Sequence, residues 1–335
     1  MNGRTVKSLS ISGLITLELH ALNNEGAEGN QLQTRQVQVV DQEGKLHAVN
    51  AISGDMLKHI QAQHLHAIAL ERGLPLCAGC RAFDANRVNG DPDFLQEIGG
   101  QPGFGAATKA HQEDSYILSQ VLKRCVVDDA EGILITQMVG GSKRAIARKS
   151  VVEFGWVVGR PEATRTEAYF HVKYAPEGRG KGSRQAGDET GANVGQNIFH
   201  RPASSGQYAV VLNVDLFRLG RNDITLEAES FEGQEGTARV SVVLQSVVST
   251  FIKPSGAHRN TQNPHIVDFQ GCVALSYGSL PAPTVSALNP DYQQEIGAIS
   301  ASLNRIQPDA IMVHPFARLS QFTAIMADLM VPGAS

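Results

Sequence analysis

The chain has 335 residues, 42% of them apolar, enough to bury a sizeable core in one large domain or two smaller ones and too many for a disordered protein. Lys and Arg number 29 against 33 Asp and Glu, a net charge of −4, which excludes a global basic field as the means of attracting a polyanion. Four cysteines are too few for a disulfide scaffold, the start of the chain up to His20 lacks a secretory signal pattern, and the most apolar window, 240–252, falls short of a membrane span, so a soluble, cytoplasmic protein with no membrane partner is expected.

From Leu9 to Leu19 apolar residues alternate with polar ones, the period of a strand with one buried face. The polar stretch 23–30 reads as a loop, and 36–41 with 45–50 as a hairpin turning at Gln42-Glu43-Gly44. Ser53 is placed to cap a helix from Gly54 to about Arg72, with Asp55 complementing the helix dipole and Gly73 and Pro75 ending it. Residues 75–164 break the pattern with Gly99-Gly100, Gly103, Gly105 and Gly140-Gly141 between short pieces such as 114–124 and 132–139, and read as an insertion. Strand alternation returns over 166–174 and 208–216, a hairpin pair separated by a glycine-rich excursion, 175–195, that re-enters through a short extended piece, 196–201. Val240, Val243, Leu244, Val247, Val248 and Phe251 keep helical spacing up to Pro254 despite their β-branching. A strand over 265–276, a helix over 291–305, a short strand over 310–313 and a helix over 318–330 complete the chain. The frame is α+β, in the βαββαβ order of a ferredoxin-like (RRM-like) fold, whose sheet leaves one face open for a ligand.

Chemistry-bearing residues gather in a few places. Gly140-Gly141-Ser142-Lys143-Arg144-Ala145-Ile146-Ala147-Arg148-Lys149 sets four cations and no acid behind two glycines, the composition of a phosphate-contacting loop; a solvated basic loop is the plainer reading. The excursion adds Arg179-Gly180-Lys181-Gly182-Ser183-Arg184, which has nothing to pack and suits either closure over a polyanion or disorder. His171 and Phe199 flank its base, where an imidazole and a ring could stack on a displaced nucleobase, although core packing explains Phe199 equally well. Cys77-Ala78-Gly79-Cys80 has the spacing of half a zinc knuckle. Cys125 and His111 are candidates to complete a structural tetrahedron; otherwise no cofactor is indicated, and Cys272 reads as core. Asp128, Asp129 and Glu131 could hold a divalent cation in a nuclease site, but a polar turn explains them more simply. The sequence has no nucleophile elbow, phosphate-loop lysine motif or paired-histidine zinc helix, and His59, His64 and His66 are poorly spaced for one helix face.

Asn23 after the first strand, Ala51-Ile52-Ser53-Gly54-Asp55-Met56-Leu57-Lys58-His59, Arg148-Lys149-Ser150, Tyr208-Ala209-Val210-Val211-Leu212-Asn213-Val214-Asp215-Leu216 and Lys253-Pro254-Ser255-Gly256-Ala257 follow one another in an order that resembles the DevR family. That family supplies the backbone subunit of type I CRISPR Cascade complexes, and the likeness runs from about Ser8 to Asn289. The resemblance implies a hand-shaped subunit: a ferredoxin-like palm over 1–74 and 165–335, a finger insertion over 75–164 and a thumb hairpin over about 175–205. It implies copies stacked head-to-tail into a helical filament along CRISPR RNA (crRNA), with other Cascade subunits, and with target DNA reached through guide pairing. The RNA contacts it carries over are Asn23 with Arg35 nearby; Ser53, Lys58 and His59 at the helix start; Lys143, Arg144 and Arg148 at the finger base; and His171, Phe199 and Arg201 at the thumb base.

The expected function is a non-catalytic guide-RNA scaffold in antiviral defence. A ferredoxin-like endoribonuclease that processes repeat RNA with a helix histidine or His171 is the alternative, and an oligomer that binds a phosphorylated metabolite is a third. For an acidic chain, the scaffold reading requires a continuous cationic furrow joining Lys58, Arg144 and Arg148.

Overall fold

Apolar alternation places β1 (Ser8–His20) at the centre of the main sheet, with Leu9, Ile11, Ile15 and Leu17 buried on one face and Ser10, Ser12 and Leu14 on the other. The computed structural model describes residues 4–22, 24–28, 31–101, 104, 110–174, 196–256 and 261–330. Where a loop was expected, β2 (Asn24–Glu28) and β3 (Gln31–Thr34) form a short hairpin. The hairpin that follows, β4 (Gln36–Val40) and β5 (Leu46–Ile52), has the expected position.

Ser53 caps α1 (Gly54–Glu71), its hydroxyl accepting from the Met56 amide at 3.2 Å. The insertion then runs through α2 (Ala78–Arg81), α3 (Pro92–Gly99), α4 (Ala110–Arg124) and α5 (Val126–Glu131). Two small ribbons end it: β6 (Ile133–Ile135) pairs with β9 (Ile146–Arg148), and β7 (Met138–Val139) pairs with β8 (Ser142–Lys143). The main sheet is re-entered at β10 (Val152–Phe154), earlier than residue 165, and continues in β11 (Val157–Tyr174) and β12 (Gln196–Val214). The chain closes with α6 (Glu235–Ile252), β13 (His265–Ser276), α7 (Tyr292–Ile306), β14 (Ile311–Phe316) and α8 (Leu319–Met330).

The principal strand order is β14-β13-β1-β12-β11-β5-β4, with every neighbouring pair antiparallel. The β11–β12 register shifts between Gly159 and Thr164, opposite Gly206, whose φ of +143° and whose approach to the Ala163 carbonyl leave no room for a Cβ.

Helices α1, α6 and α8 belong to one large core with the Leu9 face of β1. There Phe251 stacks on Phe269 at 4.8 Å and Phe322 meets both edge-on. The opposite face is not open, as the sequence had suggested. Leu14, Ala209, Cys272 and Ala274 expose apolar surface there, and Ala287, Tyr292 and Ile296 cover it. Ser10 Oγ donates to the Pro283 carbonyl at 2.6 Å and the Val285 amide donates to Ser12 Oγ at 3.3 Å, fastening the cover to the sheet. Among the described residues no helix is long and apolar enough to cross a membrane.

His20, at the end of β1, is buried with both ring nitrogens lacking hydrogen-bond partners, its ring edge-on to Tyr208 at 5.0 Å. Burial lowers its pKa to about 4. The unfolded chain takes up the imidazole proton near pH 6.5 and the folded chain only near pH 4, so stability falls as pH drops through that window. The loss amounts to about 3 kcal/mol at its lower end. Denaturant titrations across the window are expected to show this decline in the native chain and a flatter profile in His20→Leu.

Candidate nucleic-acid interface

All six residues of α5 are buried and three are acidic. Helical geometry turns consecutive side chains about 100° apart, so the three carboxylates reach different partners. Asp128 accepts from the Cys77 thiol at 3.2 Å. Asp129 bridges Arg148 at 2.8 Å and Arg239 at 2.9 Å, and accepts from the Gly220 amide at 3.0 Å. Glu131 faces the Lys58 ammonium at 3.5 Å. The three acids therefore do not converge on one cation, and the nuclease-type metal reading fails for that reason. Burial pushes the Asp129 and Glu131 carboxyls up, opposed chiefly by the Arg148 charge for the first and the Lys58 charge for the second.

The expected furrow through Lys58, Arg144 and Arg148 is not formed. From residue 143 to 149 burial alternates, with Arg144, Ile146 and Arg148 inward and Lys143, Ala145, Ala147 and Lys149 outward. Arg144 is paired with Glu113 at 2.7 Å and Asp114 at 3.1 Å. Arg148 holds Asp223 at 2.7 Å as well as Asp129. Lys58 Nζ donates to Ser150 Oγ and to the Val152 carbonyl, and burial lowers its pKa despite Glu131. Ile146 marked the inward parity in the sequence; the acids that receive the arginines come from distant segments and carried no local signal.

Gly140-Gly141 has a conformational role in the structure. Both glycines have positive φ in the turn between β7 and β8, and a Cβ on Gly140 would enter the Phe104 ring. The adjoining cleft of about 400 Å³ has no cation among its described lining residues.

A different group of residues meets at the start of α1. The Arg35 guanidinium lies 5.0 Å from the centroid of the Trp156 ring, which is 44% exposed. The Ala51 amide donates to the Arg35 carbonyl, and Ile52 pairs with Val157, which brings Arg35, Trp156 and the Ser53 cap together. Gly54 sits where a Cβ would lie 2.6 Å from the Phe154 carbonyl oxygen, so the helix start can approach the β10–β11 turn only without a side chain. One turn further on, a cleft of about 260 Å³ is lined by Asp55, Lys58, His59, Phe83, Asp84 and Arg87, among others, with the His59 and Phe83 rings 5.7 Å apart. His64 and His66 are engaged separately, with the carbonyls of Lys253 and Arg81 at 3.0 and 3.1 Å.

The ribbon of β11 and β12 sets His171 directly opposite Phe199 in register. Their side chains, that of His111, and the whole of Asn23, Arg179, Lys181 and Arg184 lie outside the described residues. Arg201 faces Tyr169 and donates to Thr261 Oγ1 at 3.2 Å. Lys143 is exposed beside the β7–β8 turn. Trp156, Phe83, Arg87 and the exposed Phe170, which meets His200 edge-on at 5.5 Å, were missed from sequence. Trp156, the chain's one tryptophan and next to Gly155, was the available signal; Phe83 and Arg87 adopt positive φ in a turn whose position only the folded insertion defines.

The fold and this surface define an α+β protein with a large antiparallel sheet and an aromatic–cation cluster at a helix start. A family model described as CRISPR-associated negative auto-regulator DevR/Csa2 matches residues 11–296, and the chain belongs to that family. It is 24% identical over 247 residues to CRISPR-associated protein Cas7/Csa2 1 of Saccharolobus solfataricus (strain ATCC 35092 / DSM 1617 / JCM 11322 / P2), spanning 71% of this chain and 70% of that protein. A chain of a solved CRISPR RNA-guided surveillance complex, pre-nicking, shares the fold with a TM-score of 0.51 at 12% identity, over 96% of this chain and 100% of that one.

Removing the Asp129 carboxylate takes away the one fully buried acid that Arg148 and Arg239 share, leaving them only Asp223 and Glu235, so Asp129→Ala is expected to cost about 3–5 kcal/mol, read from denaturant midpoints. Lys149→Ala, on the outward face of the same segment, is expected to change stability by less than about 0.5 kcal/mol.

Proposed function

We propose that this chain is a non-catalytic backbone subunit that binds CRISPR guide RNA and presents it for pairing with target DNA. Copies stack head-to-tail along the guide in the cytoplasm, together with other subunits of a surveillance complex. The reading rests on membership of the DevR/Csa2 family, on the solved relative's place in an RNA-guided surveillance complex, and on one observation in this chain. That observation is the exposed Trp156 ring under the Arg35 guanidinium beside the Ser53 cap. A guanidinium can neutralise a backbone phosphate, an indole can stack on a nucleobase, and the start of α1 favours negative charge.

The palm in this reading is ferredoxin-like: β1, β10 with β11, β12 and β13 take the places of its four strands, α1 and α6 are its helices, and the order β13-β1-β12-β11 corresponds to 4-1-3-2. Recognition here depends on a few local cations and on stacking, so a net negative chain suffices. His64 and His66 each engage a main-chain carbonyl, so among the α1 histidines the endoribonuclease alternative falls on His59 in its cleft.

Because Trp156 is the one tryptophan, single-stranded guide RNA is expected to quench intrinsic fluorescence on binding. Affinity should rise with RNA length and fall with salt. Trp156→Ala should cost about 1–3 kcal/mol of binding, and Arg35→Ala should reduce the salt slope by roughly 0.7. Arg144→Ala is expected to lose stability, because the buried guanidinium is paired with Glu113 and Asp114 of α4. Length-independent binding, unaffected by Trp156→Ala, would sink the proposal. Defined cleavage of repeat RNA that disappears in His59→Ala would replace it with the endoribonuclease.

A further inference from the structure

We infer that Cys77, Cys80, Cys125 and Asp128 form a structural zinc site that clamps the start of the insertion to α5, a role independent of RNA binding. Their three sulfurs and one carboxylate oxygen lie within 4.8 Å of one another, and all four residues are buried. A tetrahedral zinc ion, about 2.3 Å from each sulfur, holds sulfurs about 3.8 Å apart, so the groups need close by only about an ångström.

The four donors come as two matching halves. Cys77 precedes α2 and Cys125 precedes α5, and in each case the residue three positions on supplies the second donor. The Cys80 amide donates to Cys77 Sγ at 3.3 Å and the Asp128 amide donates to Cys125 Sγ at 3.4 Å. Such amide–sulfur bonds orient a ligand and stabilise thiolate charge. Gly79, between the first two cysteines, has no room for a side chain, since a Cβ there would lie 1.9 Å from the Arg87 carbonyl oxygen.

A second, independent observation points to a cation. Asp128 has no solvent exposure, and its Oδ1 has no hydrogen-bond partner. A buried carboxylate with an unsatisfied oxygen is costly unless it is paired or coordinated. A disulfide within the cluster would leave one thiol and that oxygen unaccounted for, whereas zinc takes all four donors. Three soft sulfurs select zinc over magnesium or calcium, and four protein ligands with no open position mark a structural site. The clamp joins the segment after α1 to the start of α5, which orients Asp129 toward Arg148 and Arg239.

The test uses the full chain, purified without chelators and with no histidine tag. Elemental analysis is expected to find about one zinc per chain. Cobalt exchanged into the site should give thiolate-to-metal charge transfer and the intense visible bands of tetrahedral coordination. Cys125→Ser should lose both, whereas Cys272→Ser, altering a cysteine in the other core, should keep them. Asp128→Asn should weaken zinc in a chelator competition by roughly tenfold or more while preserving the charge-transfer band. If Cys125→Ser fails to fold, the metal content and cobalt spectrum of the native chain still decide. A native chain that purifies without zinc and takes up neither metal overturns the site, and unchanged affinity in Asp128→Asn overturns the four-ligand assignment.

Discussion

Asp129 is the point on which the separate parts of this chain are fastened. Its carboxylate, without solvent exposure, joins Arg148 of β9 to Arg239 of α6 and accepts from the amide of Gly220, so insertion, helix layer and the turn after β12 meet at one group. Asp223 and Glu235 complete the set, giving three carboxylates against the guanidiniums of Arg148, Arg218 and Arg239. Arg239 also donates to the carbonyls of Leu122 and Lys123, satisfying acceptors at the end of α4 that the helix leaves unpaired. Buried charges of this kind contribute little net stability when complete and destabilise strongly when broken, so the network acts mainly to specify how the parts dock.

The network also determines what is left for the surface. Arg144 is held by the half-buried Glu113 and Asp114, Arg148 by the buried Asp129 and Lys58 by Glu131, which removes three cations from any broad electrostatic trough. Among the described residues, the features left at the surface include a guanidinium over an indole beside a capped helix start, an aromatic pair on the β11–β12 ribbon, and Lys143 beside a hairpin turn. Discrete contacts hold a nucleic-acid backbone in register and depend on stacking more than on a long-range field. A negative net charge is consistent with that division of labour.

The long strands and the long helices could be read from residue order, because period-two and period-3.6 patterns depend only on neighbours along the chain. Leu9 to Leu19, the Ser53 cap and the valine stripe of α6 are examples. The β2–β3 hairpin and the return to the main sheet at Val152 could not be read in that way. The gathering of Cys77, Cys80 and Cys125 was legible too, but His111 was read as the fourth member, and Asp128, which the structure sets beside the three sulfurs, as part of a polar turn or of a nuclease-type cation site. Burial of all six residues of α5 could not be anticipated from a string containing three acids. The cover that residues 282–296 place over the second sheet face was equally hidden: the loop residues up to Leu288 carry no period, and the helical spacing of Tyr292 and Ile296 does not say which surface they meet.

Sequence alone therefore determined the order of the long strands and helices, the α+β class and the family likeness, all of which rest on local periodicity and on short strings kept in order. Tertiary structure decided which charges face solvent. An arginine and a lysine one residue apart look alike in a string, but strand alternation sends one inward, and whether a carboxylate waits there depends on segments far away in the chain. Pairing energies act through space, which is why Arg148 became an internal fastening and Trp156 an exposed platform.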